Sequence, residues 1–230
     1  MTQVFIDGAA GTTGLEIRER LSKHAGLTLT ALEGDKRKDP AARKAALNEA
    51  DVVILCLPDE AAKEAVALIV NPQVKVIDAS TAHRTAPAWT YGFAELAPGQ
   101  RQAIAQTKRL TNPGCYPTGF LALAAPLVRA GLLPKDFAAS VNAVSGYSGG
   151  GRAMIIEFEN PDADTYTQEV VRTYALSLQH KHVAEMQMYA GLDHPPIFAP
   201  SVGRYYRGML AELPVPLWAL PGRPSVKQVH

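Results

Sequence analysis

The stretch Asn112-Pro113-Gly114-Cys115-Tyr116-Pro117-Thr118 places one of the two cysteines of this 230-residue chain at the start of a helix. Pro117 fits an early helical position, where its missing N–H costs nothing. Phe120, Leu121, Leu123, Ala124, Leu127 and Val128 follow at helical spacing, and Arg129 then Gly131 close the run. A thiol at a helix N-terminus feels the positive end of the dipole and unpaired N–H groups, which favours the thiolate and suits a nucleophile. Spacing alone leaves a small buried thiol as the alternative. Cys56 lies in the apolar run 51–57 and reads as inert core, while Trp89 and Trp218 read as packing.

A second constellation is Gly8-Ala9-Ala10-Gly11-Thr12-Thr13-Gly14, between a first strand and a first helix. Gly8, Gly11, Thr12, Thr13 and Gly14 are candidates to bring backbone N–H groups and a helix N-terminus to a pyrophosphate. The spacing is GxxGxxG rather than GxGxxG, so its position carries the argument, and a structural turn is the alternative. Beyond the second strand comes Glu33-Gly34-Asp35-Lys36-Arg37-Lys38. An acid there would bind the ribose hydroxyls of NAD, while Lys36 and Arg37 would accept the 2′-phosphate of NADP. Three consecutive cations favour NADP over NAD, with a solvated charged loop as the alternative.

These groups need a scaffold, and the first half supplies an alternating one. Strands are expected at 4–7, 27–32, 51–57 and 74–78, with helices at 13–24, 40–48 and 61–70, the last capped by Asp59 and Glu60. The unbroken run 51–57 suits a strand buried on both faces, and the punctuation argues for a parallel sheet wrapped by helices. After the cysteine helix the texture becomes α+β. A strand is expected at 138–144, then the glycine-rich loop 145–152, a histidine-bearing stretch at 166–190 and a strand at 207–215. The tail 224–230 reads as an N-cap and little more than one helical turn, too short to be stable alone.

Composition narrows the class. With 47% hydrophobic residues a sizeable core is available, and Lys plus Arg 23 against Asp plus Glu 22 leaves no electrostatic footprint for nucleic acid or a membrane surface. No apolar run reaches the length of a membrane span, no signal peptide is visible, and two cysteines make no disulfide framework. The expectation is a cytoplasmic protein with no nucleic-acid or membrane partner, and no metal-ligand set is read from the sequence.

The sequence resembles the N-acetyl-γ-glutamyl-phosphate reductase family, type 2 branch, a relative of aspartate-semialdehyde dehydrogenase. Besides the glycine loop, the cysteine stretch and 145–152, the matches are Cys56-Leu57-Pro58-Asp59, Asp78-Ala79-Ser80-Thr81-Ala82-His83-Arg84, Tyr91-Gly92-Phe93-Ala94-Glu95-Leu96 and His180-Lys181-His182-Val183-Ala184-Glu185. They span the chain in the family's order. The resemblance implies a Rossmann-like NADP-binding domain at 1–115 and an α+β catalytic and dimerisation domain of the semialdehyde dehydrogenase type at 116–230. It implies a homo-oligomer with a small-molecule substrate.

The implied activity is NADPH-dependent reduction of N-acetyl-L-glutamyl 5-phosphate to the 5-semialdehyde with phosphate release, in arginine biosynthesis, through a thioester on Cys115. A non-catalytic nucleotide-binding remnant is the alternative, and aspartate-semialdehyde dehydrogenase a less favoured one. Histidine suits proton transfer near neutral pH. The family's HxHxxE pattern makes His180, His182 and Glu185 the site cluster, with His182 favoured as base, His180 close behind and Glu185 orienting whichever acts. Arg84 is the candidate for the acyl phosphate, Arg152 for phosphate or the α-carboxylate, and Ser80 and Asn112 are weaker substrate contacts. The family continues beyond position 230 with a stretch that helps hold the nicotinamide. The chain is therefore expected to be a truncated form.

Overall fold

The computed structural model describes residues 1–230 except the side chain of Lys38, so the third cation of the 36–38 run lies outside the described residues. The chain forms two compact units, Met1–Phe93 with Gly99–Pro113, and Ala94–Pro98 with Gly114–His230.

The first unit is a six-stranded sheet in the order β2-β1-β3-β4-β6-β5, with every neighbouring pair parallel. Its strands are β1 (Thr2–Asp7), β2 (Leu27–Thr30), β3 (Val52–Leu55), β4 (Lys75–Asp78), β5 (Thr90–Tyr91) and β6 (Arg109–Thr111). Between them run α1 (Thr12–Leu21), α2 (Pro40–Glu49), α3 (Asp59–Leu68) and α4 (Gln100–Gln106). Strand alternation splits the core between the two faces. Phe5, Val53, Leu55 and Val76 pack with Leu47, Ala62 and Ala65 of α2 and α3, whereas Val4, Ile6 and Ile54 pack with Ile17 and Leu21 of α1. Each fully buried Val, Leu, Ile or Phe among them contributes about 1.5–3 kcal/mol. Asp39 caps α2 by accepting from the amides of Ala41 (2.9 Å) and Ala42 (3.4 Å), with Pro40 at the first helical position.

The second unit is a mixed sheet, β10-β7-β9-β8, built from β7 (Ser140–Gly146), β8 (Val171–Thr173), β9 (Ile197–Gly203) and β10 (Met209–Glu212). Its helices are α5 (Cys115–Arg129), α6 (Gly151–Glu159), α7 (His182–Ala190) and α8 (Val226–Val229). One sheet face, with Val141, Phe198 and Val202, is buried with Tyr116, Phe120 and Leu121 of α5 and Met186 of α7. The opposite positions, including Val171, Ile197 and Leu210, are exposed.

Several expectations are corrected. β3 ends at Leu55, so Cys56 stands just beyond the strand and is half-buried rather than core. α3 has no side-chain cap, because its N-cap is Pro58; Asp59 is its first residue and its carboxylate accepts from the amide (2.9 Å) and hydroxyl of Thr81. The glycine-rich loop 145–152 contains the end of β7, a 3₁₀ turn (Tyr147–Gly150) and the start of α6. Trp218 is 77% exposed and packs little, whereas Trp89 joins the core of the first unit.

Candidate active site

Cys115 is the first residue of α5 and is exposed. The residue before it, Gly114, is the helix N-cap and brings no side chain to the task. Its amide instead donates to Glu185 Oε2 at 2.7 Å, and its carbonyl accepts from the amide (3.0 Å) and hydroxyl (2.8 Å) of Thr118. Glu185 belongs to the first turn of α7 and is 1% exposed. Two helix starts, 71 residues apart in sequence, are thus joined at the backbone of the cysteine turn. Removing the carboxylate would strand a buried N–H, at about 1–3 kcal/mol.

The two histidines meet across the start of α7, with ring centroids 4.5 Å apart at 64°. His182, at the first helical position, is buried, and its ring lies 6.0 Å from that of Tyr116, the neighbour of Cys115. His180 lies in the preceding turn between Phe198 (5.2 Å) and Tyr174 (6.1 Å). Its Nδ1 accepts the His182 amide at 3.1 Å, which caps the helix and puts the ring proton on Nε2. Burial first, and the Lys181 charge second, hold His180 below the usual histidine range. His180 is therefore built as a neutral, backbone-capping ring.

A hydroxyl chain beside this cluster was not read from the sequence. Tyr174 donates to the Tyr116 hydroxyl (3.2 Å), which lies 2.8 Å from Ser145 Oγ and 3.2 Å from the Ser201 carbonyl as acceptors. Burial pushes both phenols up, and for Tyr116 the bonds to Ser145 and Tyr174 work against it. Arg152 is exposed in the first turn of α6.

The first unit gathers Ser80, Arg84 and Asn112 around the C-terminal ends of β4 and β6. Asp78, fully buried, accepts from the amide (2.9 Å) and hydroxyl (2.7 Å) of Ser80, and His83 Nδ1 lies 2.6 Å from the same carboxylate. His83 stacks on Trp89 at 4.2 Å. Ser80 Oγ also accepts the Ala82 amide at 3.1 Å, so this hydroxyl is committed within its own loop. Arg84 is buried and donates from Nη2 to the Ala79 carbonyl at 3.1 Å. The Asn112 amide donates to the Asp78 carbonyl at 2.7 Å, while its side chain turns to the Pro113 carbonyl at 3.3 Å.

The glycine loop borders a cavity of about 340 Å³. Gly8, Ala9, Ala10 and Gly11 form one wall, and Arg37, Arg43, Asp7, Cys56 and Pro58 contribute to the others. Thr12, Thr13, Gly14 and Lys36 are not among its lining residues. Burial, with Asp7 and Asp78 adding to it, pushes the Cys56 thiol up to about 11, which keeps it protonated and inert. Gly8 has φ +87° and a Cβ there would stand 2.3 Å from the Cys56 carbonyl oxygen, while one on Gly14 would stand 2.4 Å from the Gly8 carbonyl oxygen. Gly11 is different. A Cβ there meets only the Gly8 oxygen at 3.5 Å, an ordinary contact, so the protein's own packing does not require glycine. The position leaves room for close approach to the backbone, and α1 starts at this point with no side-chain cap on its first-turn amides. The residues present fit a phosphate-bearing cofactor.

Residues 3–106 match the family model described as semialdehyde dehydrogenase, NAD binding domain, and residues 115–228 the one described as semialdehyde dehydrogenase, dimerisation domain. An N-acetyl-gamma-glutamyl-phosphate reductase of Burkholderia cenocepacia is 52% identical over 227 residues, which cover 99% of this chain and 72% of that protein. The chain belongs to the N-acetyl-gamma-glutamyl-phosphate reductase family. Another member, N-acetyl-gamma-glutamyl-phosphate reductase 2 of Pseudomonas putida, is 52% identical with the same coverages. Among solved structures, aspartate semialdehyde dehydrogenase II of Vibrio cholerae superimposes with TM-score 0.68 at 14% identity, covering 93% of this chain and 73% of that one. The Candida albicans aspartate semialdehyde dehydrogenase with NADP gives 0.65 at 14%, covering 100% and 75%. At such identities the likeness is one of fold. Among the described residues no helix is long and apolar enough to cross a membrane.

Proposed function

We propose that this chain carries out the NADPH-dependent reduction of N-acetyl-L-glutamyl 5-phosphate to N-acetyl-L-glutamate 5-semialdehyde, releasing phosphate, through a thioester on Cys115. The observation that carries it is an exposed cysteine at a helix start, its turn gripped by the buried Glu185 beside a histidine pair, in a chain about half identical to such reductases.

In this reading the Cys115 sulfur attacks the acyl carbon and phosphate leaves, dividing a hard reduction into easier covalent steps. Negative charge on sulfur and on the acyl oxygen develops where the α5 dipole and first-turn amides favour it, at about 3 kcal/mol per well-placed donor. His182 is the acid/base, because protonating His180 at Nδ1 would break its bond to the His182 amide. Glu185 holds the cysteine turn. Arg84 and Arg152 are the cations for the substrate's phosphate and carboxylate, and Ser80 and Asn112 shape the loops around them. NADP(H) supplies the hydride when bound; Gly8, Gly11, Thr12, Thr13, Gly14, Lys36 and Arg37 are proposed to hold it.

Residues 1–115, apart from Ala94–Pro98 and the Gly114–Cys115 turn that fold with the second unit, are thereby the nucleotide-binding part, and 116–230 with that turn the catalytic and dimerisation part. Self-association fits the dimerisation-domain match and the exposed sheet positions Val171, Ile197 and Leu210. The test is phosphate-dependent NADP reduction with N-acetylglutamate semialdehyde and with aspartate semialdehyde, side by side. Turnover of the first alone supports the proposal. Turnover of the second alone, or cofactor binding with neither turned over, overturns it.

A further inference from the structure

One cation in the glycine-loop cavity is held unlike the others. Arg43, on α2, has its side chain 17% exposed and reaches under the end of β1. Its Nε donates to Asp7 Oδ2 at 2.7 Å and its Nη2 to the Ala61 carbonyl at 3.3 Å. Among the described residues its Nη1 has no hydrogen-bond partner, although the side chain lines the cavity. A guanidinium fixed on one edge and unspent on another loses little freedom when it meets an anion, and its planar fork suits phosphate.

Arg37 lines the same cavity from the segment after β2, exposed and tied only by an Nε bond to the Gly34 carbonyl at 3.3 Å. Two guanidiniums against the single Asp7 carboxylate leave the wall net positive. Glu33 and Asp35, the acids that would suit a ribose diol, are not among the lining residues. Lys36 is not among them either, which shifts the cation role from the 36–38 run to a pair drawn from two elements. In a dinucleotide fold the region beyond the second strand is where the ribose 2′-substituent falls.

We infer that Arg43, anchored by Asp7, is the fixed half of a site for the cofactor's ribose 2′-phosphate, with Arg37 as its exposed half. The inference rests on the NADP(H) reading above. It makes Arg43 the residue that separates NADP from NAD.

The probes are 2′,5′-ADP and 5′-AMP, which differ only in the 2′-phosphate and need no nicotinamide contacts. Calorimetry on the full chain is expected to give at least about tenfold tighter binding of 2′,5′-ADP. In the neutral pair Asp7→Asn with Arg43→Gln that preference closes to within about twofold, with 5′-AMP affinity unchanged. A preference retained in the double variant overturns the inference and leaves the cofactor reading standing. Equal weakening of both probes also overturns it, because the arginine then meets the 5′ end. A wild-type chain that binds neither probe overturns both readings. A second readout avoids any folding defect. On the unaltered chain, 2′,5′-ADP should shield Arg43 from phenylglyoxal, as read by peptide mass, and 5′-AMP at equal occupancy should not. Equal shielding would sink the assignment.

Discussion

The start of α1 and the start of α5 are both helix N-termini that follow a strand through a glycine turn, yet their cap amides find different kinds of acceptor. At α1 the cap is Gly11, no side chain fills it, and the turn opens on a cavity with two arginines. At α5 the cap is Gly114, and the chain supplies its own buried carboxylate, Glu185, to take the amide. At α1 the Gly11 amide is spent within its own turn, on the Gly8 carbonyl at 3.1 Å, and the first-turn amides beside the cavity have no side-chain cap. At α5 the cap amide is spent on a side chain from another helix, which fixes the backbone just before Cys115. The same local geometry is therefore closed from within its own turn in one unit and by a carboxylate from a distant helix in the other.

The largest expected effect tests the α5 side. Cys115→Ser should reduce turnover by about 10³-fold or more while nucleotide affinity stays within about twofold, in steady-state assays and calorimetry. Next comes the contrast of glycines. Gly8→Ala should destabilise the protein by about 2 kcal/mol or more in urea melts, since it combines the positive φ with a 2.3 Å backbone clash. Gly11→Ala should leave stability within about 0.5 kcal/mol but weaken NADPH binding by about tenfold. Equal behaviour of the two would erase the distinction between packing glycine and ligand glycine.

Glu185→Ala should cost about 1–3 kcal/mol by stranding the Gly114 amide, whereas Glu185→Gln, which keeps an acceptor, should recover most of it. A matching loss of kcat in the alanine variant, restored by glutamine, would mark positioning as the role. Smallest is a pH effect at the α7 start. His180 has a lowered folded-state pKa, so the unfolded chain binds the proton more readily. Its contribution is complete above the unfolded value of about 6.5 and is lost as pH falls through the lower folded value. Thermal melts of wild type should therefore fall more steeply as pH drops below about 6.5 than those of His180→Gln. A flat difference between the two would remove the capping role.

Much of the first unit was legible because its strands are buried on both faces and its helices alternate with them. Val53, Ile54 and Leu55 announce a central strand by composition alone. What stayed hidden depends on partners far away in the chain. β9 carries Pro200 in its middle, which argues against a central strand, yet the structure places it between β7 and β8. α6 starts straight out of three glycines, and α4 is a short helix without a periodic apolar face. At the site, the motif located Glu185 but not the bond it makes, because nothing local links it to Gly114. Arg43 and Asp7 belong to no motif and lie 36 residues apart, and only the cavity that both line gives the pair meaning.

The short excursion Ala94–Pro98 has a consequence for synthesis and for engineering. Because these residues belong to the second unit while Gly99–Pro113 returns to the first, the backbone passes between the units three times. No single cut yields two intact halves. On a ribosome the parallel sheet cannot gain β6, the strand that β4 and β5 pair with, until residue 111 has emerged. By then part of the second unit's chain has already been made and waits for the rest. Exchange of one unit for a foreign counterpart would need three splice points, at 93/94, 98/99 and 113/114, rather than one.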